Sequence, residues 1–81
     1  MSDNELLQNI DKLHTTAMGV VRIKNNLGIG NVDVVEYCKS LAFDKGVEIY
    51  RKGKNWYVSA EGAVITVNAH SYTIITAHRA K

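Results

Sequence analysis

The sequence has no proline, one cysteine (Cys38), one tryptophan (Trp56) and one phenylalanine. With no proline, and no serine-rich or glycine-rich run either, nothing marks a linker or a repeat, and the 81 residues form one domain spanning 1–81. A lone cysteine excludes an internal disulfide and fits a reducing compartment. Apolar runs never approach the roughly 20 residues that cross a bilayer. The acids Asp3 and Glu5 before a brief Leu6-Leu7 pair do not make a secretory leader. A cytoplasmic protein without membrane contact is therefore expected. Three scattered histidines and one cysteine, with no paired carboxylates at helical spacing, give no metal site, and no cofactor motif is present. No serine stands in a nucleophile elbow. Gly28 and Gly30 follow a helical pattern rather than a strand and lack the third glycine of a phosphate-binding fingerprint.

Acids are scarce in one half only. Residues 45–81 carry six bases (Lys45, Arg51, Lys52, Lys54, Arg79, Lys81) against Glu48 and Glu61, a balance of +4. Residues 1–44 carry six acids against four bases, a balance of −2. The second half can therefore meet an anionic partner, although this charge alone does not require nucleic acid.

The apolar fraction of 46% is enough for a core. Ser2 and Glu5 have the spacing of a capping box, and Leu6, Leu7, Ile10 and Leu13 follow at helical spacing, so a first helix is expected over about 3–13. Thr15 or Thr16 starts a second helix with Val20, Ile23 and Leu27 on one face and Gly19 inside it. Gly28 suits its left-handed C-cap, and Asn31 suits the N-cap of a third helix. Val34, Val35, Cys38 and Leu41 give that helix its apolar face, which ends near Ala42 or Phe43. Cys38 reads as an inert buried thiol, and His14 as a cap or junction residue between helices.

After Gly46 the period changes from 3.6 to 2. Val47, Ile49, Trp56, Val58, Ile65 and Val67 take one face of a sheet. Glu48, Tyr50, Asn55, Tyr57, Ser59, Thr66 and Asn68 take the other. Two-residue loops at Lys52-Gly53 and Glu61-Gly62, each with glycine second, suit type I′ hairpins. They set Ile49 opposite Trp56, Val58 opposite Ile65 and Trp56 opposite Val67. A three-residue loop, Ala69-His70-Ser71, is the preferred reading and places Ile75 and Ala77 inward and Tyr72, Thr76 and His78 on the polar face, where their polar groups need no buried partner. A two-residue loop, His70-Ser71, reverses this. The fold class expected is α+β: two to three N-terminal helices (1–43) packed on one face of a four-stranded antiparallel meander sheet (46–79).

The polar face carries the chemistry. Metal-free RNA cleavage needs a base for the 2′-hydroxyl, an acid for the leaving oxygen and cations for the phosphorane. His70 and His78 are the catalytic candidates, because histidine titrates near working pH. Arg51, Lys54 or Arg79 could supply the positive charge. Tyr57 and Tyr72 could stack on bases, with Asn68 and Thr76 completing a binding set. The same face can also serve as a non-catalytic binding surface for RNA, the ribosome or a protein. Short strands with Lys52 and Lys54 at an edge leave a monomer or a weak homodimer.

Leu6 to His78, through LLQNIDKLHTTAMGVVRIKNNLG, DVVEYCKS, GKNWYV and VITVNAHSYTIITAH, resembles a small bacterial family of uncharacterised domains. That resemblance implies a class but no activity. More distantly, the element order and Thr76-Ala77-His78, with His70 and Tyr72, resemble the barnase–colicin–RelE superfamily of small metal-independent ribonucleases. That second resemblance implies a toxin-like endoribonuclease. A binding module on the polar sheet face is the leading expectation, and the nuclease is its alternative.

Overall fold

A computed structural model describes residues 2–30 and 32–79, with side chains placed from Glu5 onward. The elements are α1 (Ser2–Gln8), a 3-10 turn (Ile10–Lys12), α2 (Ala17–Leu27), α3 (Val34–Ala42), β1 (Glu48–Lys52), β2 (Asn55–Ala60), β3 (Ala63–Asn68) and β4 (Ile74–Arg79). The strands form one antiparallel sheet in the order β1-β2-β3-β4. The fold is thus three N-terminal helices on a four-stranded meander. Among the described residues, no helix is long and apolar enough to cross a membrane.

The first helix is shorter than its apolar spacing predicts. Asn9 turns its side-chain amide back onto the Glu5 carbonyl at 2.8 Å, a local alternative to continued helix. The chain then tightens into the 3-10 turn and becomes extended at Leu13. The two threonines that follow divide the work. Thr16 caps α2 by accepting from Gly19 N at 3.0 Å, and Thr15 donates its hydroxyl to the Ile74 carbonyl at 3.0 Å. Gly19 is buried, and a Cβ there would run into the Thr15 hydroxyl, so the glycine serves close packing. Gly28 takes φ 69 and closes α2 as expected. The Ser2 side chain and Asn31, both expected to cap helices, lie outside the described groups. Asp33 caps α3, accepting from Glu36 N at 3.1 Å.

Faces follow strand parity. Trp56, Val58, Ala60, Ala63, Ile65 and Val67 are buried against the helices, together with Leu6, Leu13, Ile23, Leu27, Val34, Cys38 and Leu41. Each large aliphatic sealed here contributes about 1.5–3 kcal/mol. α1 packs on β1, α3 on β2 and α2 on β4. Arg79 at the end of β4 donates to the Leu27 carbonyl at 2.6 Å, where the C-terminal end of the α2 dipole favours a cation.

The β2–β3 hairpin has the expected register: Val58 faces Ile65 and Trp56 faces Val67. Its loop residues Glu61 and Gly62 take φ 49 and 76, the double positive φ of a type I′ turn. The β1–β2 hairpin differs from expectation by one loop position. Its loop is Gly53-Lys54, so Ile49 faces Val58 and Arg51 faces Trp56. Gly53 alone takes positive φ there (62), so the I′ expectation fails. Moving a loop by one residue moves each partner by two, and the faces are therefore preserved.

The last strand corrects the expected loop. Thr66 faces Thr76, yet Val67 faces Ile74, so Ile75 is an extra residue in a bulge. Ile74 rather than Ile75 points inward (1% against 40% exposed), and Ala77 is buried as expected. Tyr72 lies outside the strand at φ 61, and its ring sits 5.7 Å from Lys12 Nζ on the helical side. It therefore does not join the polar face.

Candidate functional site

The open face of the sheet is laid out in rows by register. One row runs Tyr50–Tyr57–Thr66–Thr76, and a second runs Glu48–Ser59–Val64–His78. The third, at the end of the sheet formed by the β1–β2 hairpin and the β3–β4 loop, is Lys52–Asn55–Asn68. Tyr50 and Tyr57 stack with ring centroids 5.3 Å apart and planes at 20°, leaving Tyr50 half exposed. Such a pair contributes about 0.5–1.5 kcal/mol beyond its area. It also gives an aromatic stack, exposed on its Tyr50 side, on an otherwise hydroxyl-rich and amide-rich surface.

Beyond the third row the sheet ends in a concavity of about 490 Å³ lined by Arg51, Lys54, Asn68, Ala69 and His70. Four of the side chains singled out in the sequence therefore meet there. Ala69 N donates to the Lys54 carbonyl at 2.8 Å, which ties the hairpin tip to the β3–β4 loop and fixes the width of the notch. Arg51 donates its Nε–H to the Gly53 carbonyl at 3.0 Å, and its guanidinium lies 5.7 Å from the Trp56 ring centroid. Stacking and chelation hold the fork in place while leaving its terminal amino groups to meet a ligand.

Asn68 organises the loop. Its Oδ1 accepts from the backbone N–H of His70 and of Ser71, both at 2.9 Å, and from the Ser71 hydroxyl at 3.3 Å. The amide oxygen is thus occupied, and the NH2 group is what remains to donate to a ligand. Ser71 and Thr73 hydroxyls lie 2.8 Å apart, and Thr73 Oγ1 lies 3.0 Å from His14 Nε2. The His14 Nδ1 carries a proton, since it meets the Lys12 carbonyl at 2.8 Å. His14 also pairs with Thr73 as an isolated parallel bridge, donating its N–H to Tyr72 O and accepting from Ile74 N. His14 is the junction residue expected, and it secures the loop that carries His70.

The remaining predicted residues are placed apart from this notch. Thr76 sits in the tyrosine row, two strands away from Tyr57 with Thr66 between them. His78 is exposed opposite Val64, near the β2–β3 hairpin. Val64 and Asn68 are four residues apart along β3, about 13 Å, so His78 and the notch lie at opposite ends of the sheet. His70 and His78 do not reach one phosphate together. Arg79 is occupied on α2. Tyr50 was not singled out from the sequence, because the expected loop set Tyr57 opposite Glu48 rather than Tyr50. A separate concavity of about 540 Å³ lies on the outer face of α2, lined by Ala17, Met18, Val21, Arg22, Asn25 and Asn26. Met18 and Val21 are well exposed there, but Arg22 is the only charged group.

Two carboxylates meet elsewhere. Glu61, at the β2–β3 tip, is held above the ordinary glutamate range by hydrogen bonding to the Asp44 side chain, with the Asp44 charge adding to the effect. Burial pushes the Cys38 thiol up to about 12, which leaves it protonated and unreactive at neutral pH.

Taken together, fold and site define a small α+β domain in which helices cover one sheet face and leave the other open to solvent, with a cation-lined notch at one end of the sheet. The chain belongs to the family described as proteins of unknown function (DUF3781), whose model matches residues 7–78. No curated protein and no solved structure matches it.

Proposed function

We propose that this domain is a binding module for single-stranded nucleic acid, which lies across the open sheet face. The observation that carries the reading is one juxtaposition. The stacked Tyr50–Tyr57 pair stands two residues along the strands from Lys52 and Asn55, about 7 Å. The notch of Lys54, Asn68 and His70 opens at that same end of the sheet, and Arg51, which pairs with Trp56 and so leaves β1 on the helix-covered side, reaches it from around the edge. Aromatic faces accept any base by stacking, and cations beside them take the backbone phosphate. Among the described residues the notch offers donors and no carboxylate, so an anion suits it better than a cationic or neutral group.

Binding is favoured over cleavage. A histidine acid–base pair must reach the attacking and leaving oxygens of one phosphate, whereas His78 stands in the row of Val64 and His70 lies beyond Asn68, about 13 Å further along β3. The ribonuclease resemblance retains support only in His70, which shares its notch with two cations.

The test is fluorescence anisotropy with labelled single-stranded RNA and DNA of about 10 nucleotides and with a duplex control, titrated from about 50 to about 200 mM salt. Single strands are expected to bind better than duplex. Tyr50→Ala should weaken binding by about 5- to 150-fold, the range of one lost stacking contact. Lys54→Ala should reduce the steepness of the log K against log salt plot by about 0.7, one phosphate contact. Absence of binding at low salt, or binding indifferent to both substitutions, overturns the proposal. RNA cleavage that is lost in His70→Ala would reinstate the nuclease.

A further inference from the structure

Resting on the binding reading above, we infer that the notch takes a phosphate monoester, the terminal phosphate of a nucleic-acid strand, rather than an internal phosphodiester.

Charge is the first reason. Arg51 and Lys54 bring two permanent positive charges, with no carboxylate among the described lining residues. An internal phosphodiester carries a single negative charge and would leave the notch over-positive. A terminal phosphate carries about −1.5 to −2 at neutral pH and balances it.

Oxygen count is the second reason. A diester has two free oxygens and a monoester has three. The donors number at least that many and come from separate directions. The terminal amino groups of Arg51 are left over after its Nε–H is committed to Gly53 O. Lys54 Nζ stands on the hairpin, and Asn68 Nδ2 is left over after its oxygen is committed to the loop. The His70 ring follows on that same loop. The Arg51 fork matches two oxygens of one phosphate side by side, a pairing that lysine cannot reproduce.

Shape is the third reason. A phosphodiester needs an exit on each side, because a nucleoside is attached to both bridging oxygens. The notch lies between two loops joined by the 2.8 Å Ala69 N–Lys54 O hydrogen bond, and it stands beyond the last row of the sheet. A strand arriving across the tyrosines reaches the edge of the molecule there. A group with a single substituent fits such a terminus.

The experiment compares one oligonucleotide sequence with a 5′-phosphate, a 3′-phosphate or hydroxyl at both ends, using the full chain. Inorganic phosphate and a mononucleotide serve as competitors. One phosphorylated end should bind about tenfold tighter than the hydroxyl-ended strand, the scale of one or two added charge-assisted hydrogen bonds. Arg51→Ala and Lys54→Ala should abolish that preference. Arg51→Lys, which retains charge but not the fork, should restore it only in part. Circular dichroism confirms that each variant is folded. Equal binding of all three strands overturns this inference and leaves the sheet-face reading intact. Absence of binding by any strand overturns both. Inorganic phosphate that competes as well as the phosphorylated strand, mole for mole, overturns the assignment to a strand end.

Discussion

Ile74 and Ile75 are chemically identical neighbours, and the bulge in β4 assigns them opposite environments. Ile74 is 1% exposed beneath α2, while Ile75 is 40% exposed on the outer side of the sheet. Truncating a sealed isoleucine to alanine costs about 2–5 kcal/mol, because the transfer energy is lost and a cavity remains. Truncating the outward one loses partial burial, on the order of 1 kcal/mol or less. Both substitutions sacrifice a similar β-propensity, so their difference isolates burial at roughly 2–3 kcal/mol. A domain of this length holds only about 4–12 kcal/mol in total, so Ile74→Ala consumes much of its stability. The single tryptophan, Trp56, is 1% exposed and reports unfolding directly. In urea, with a slope near 1 kcal/mol/M, the midpoint should fall by about 2–5 M for Ile74→Ala and by less than about 1 M for Ile75→Ala. If Ile74→Ala leaves no folded baseline, Ile74→Val should still cost about 0.5–1.5 kcal/mol. An Ile75→Ala variant as unstable as Ile74→Ala would refute the bulged phase and the face assignment of the whole strand.

Cys38, its thiol pushed up to about 12, should ignore a disulfide-exchange reagent in the native protein and react fully once the chain is denatured. Rapid native labelling would contradict its burial. Glu61 gives a pH signature: because its folded pKa is raised, its stabilising contribution is complete below the ordinary glutamate value of about 4.3 and is lost as pH rises through the raised value. Wild type should therefore lose stability relative to Glu61→Gln as pH rises above the ordinary glutamate value, measured by chemical denaturation at each pH. Parallel curves for the two proteins would show that the Asp44 contact does not form.

The architecture was readable because two signals reinforced each other. Alternation set the faces of Trp56, Val58, Ile65 and Val67, and the glycine of Glu61-Gly62 marked the turn between them. Where one signal stood alone, the reading slipped. A single glycine permits a loop at Lys52-Gly53 or at Gly53-Lys54, and parity cannot separate them, since both preserve the faces. The structure adopts the second, which sets Arg51 opposite Trp56 and Tyr50 opposite Tyr57. That slip concealed the tyrosine stack. The β4 phase was illegible for a different reason. Two consecutive isoleucines satisfy either parity, and only the contacts of Thr15 with Ile74 and of His14 with Thr73, 59 residues away, decide it. The grouping of Arg51, Lys54, Asn68 and His70 was visible as composition. Its compactness depended on the tie between Lys54 and Ala69, which no local pattern announces.

The bridge between His14 and Thr73, with the contact between Leu27 and Arg79, has a consequence for biosynthesis. α2 finds its partner strand only among residues 73–79, so during translation that helix waits with Ile23 and Leu27 uncovered until that segment has emerged. Loop closure on this scale is slow compared with helix formation. Nascent chains stalled ahead of β4 should accordingly be protease-sensitive and attract chaperones that recognise apolar segments. Release of the last strand should end both in a single cooperative step.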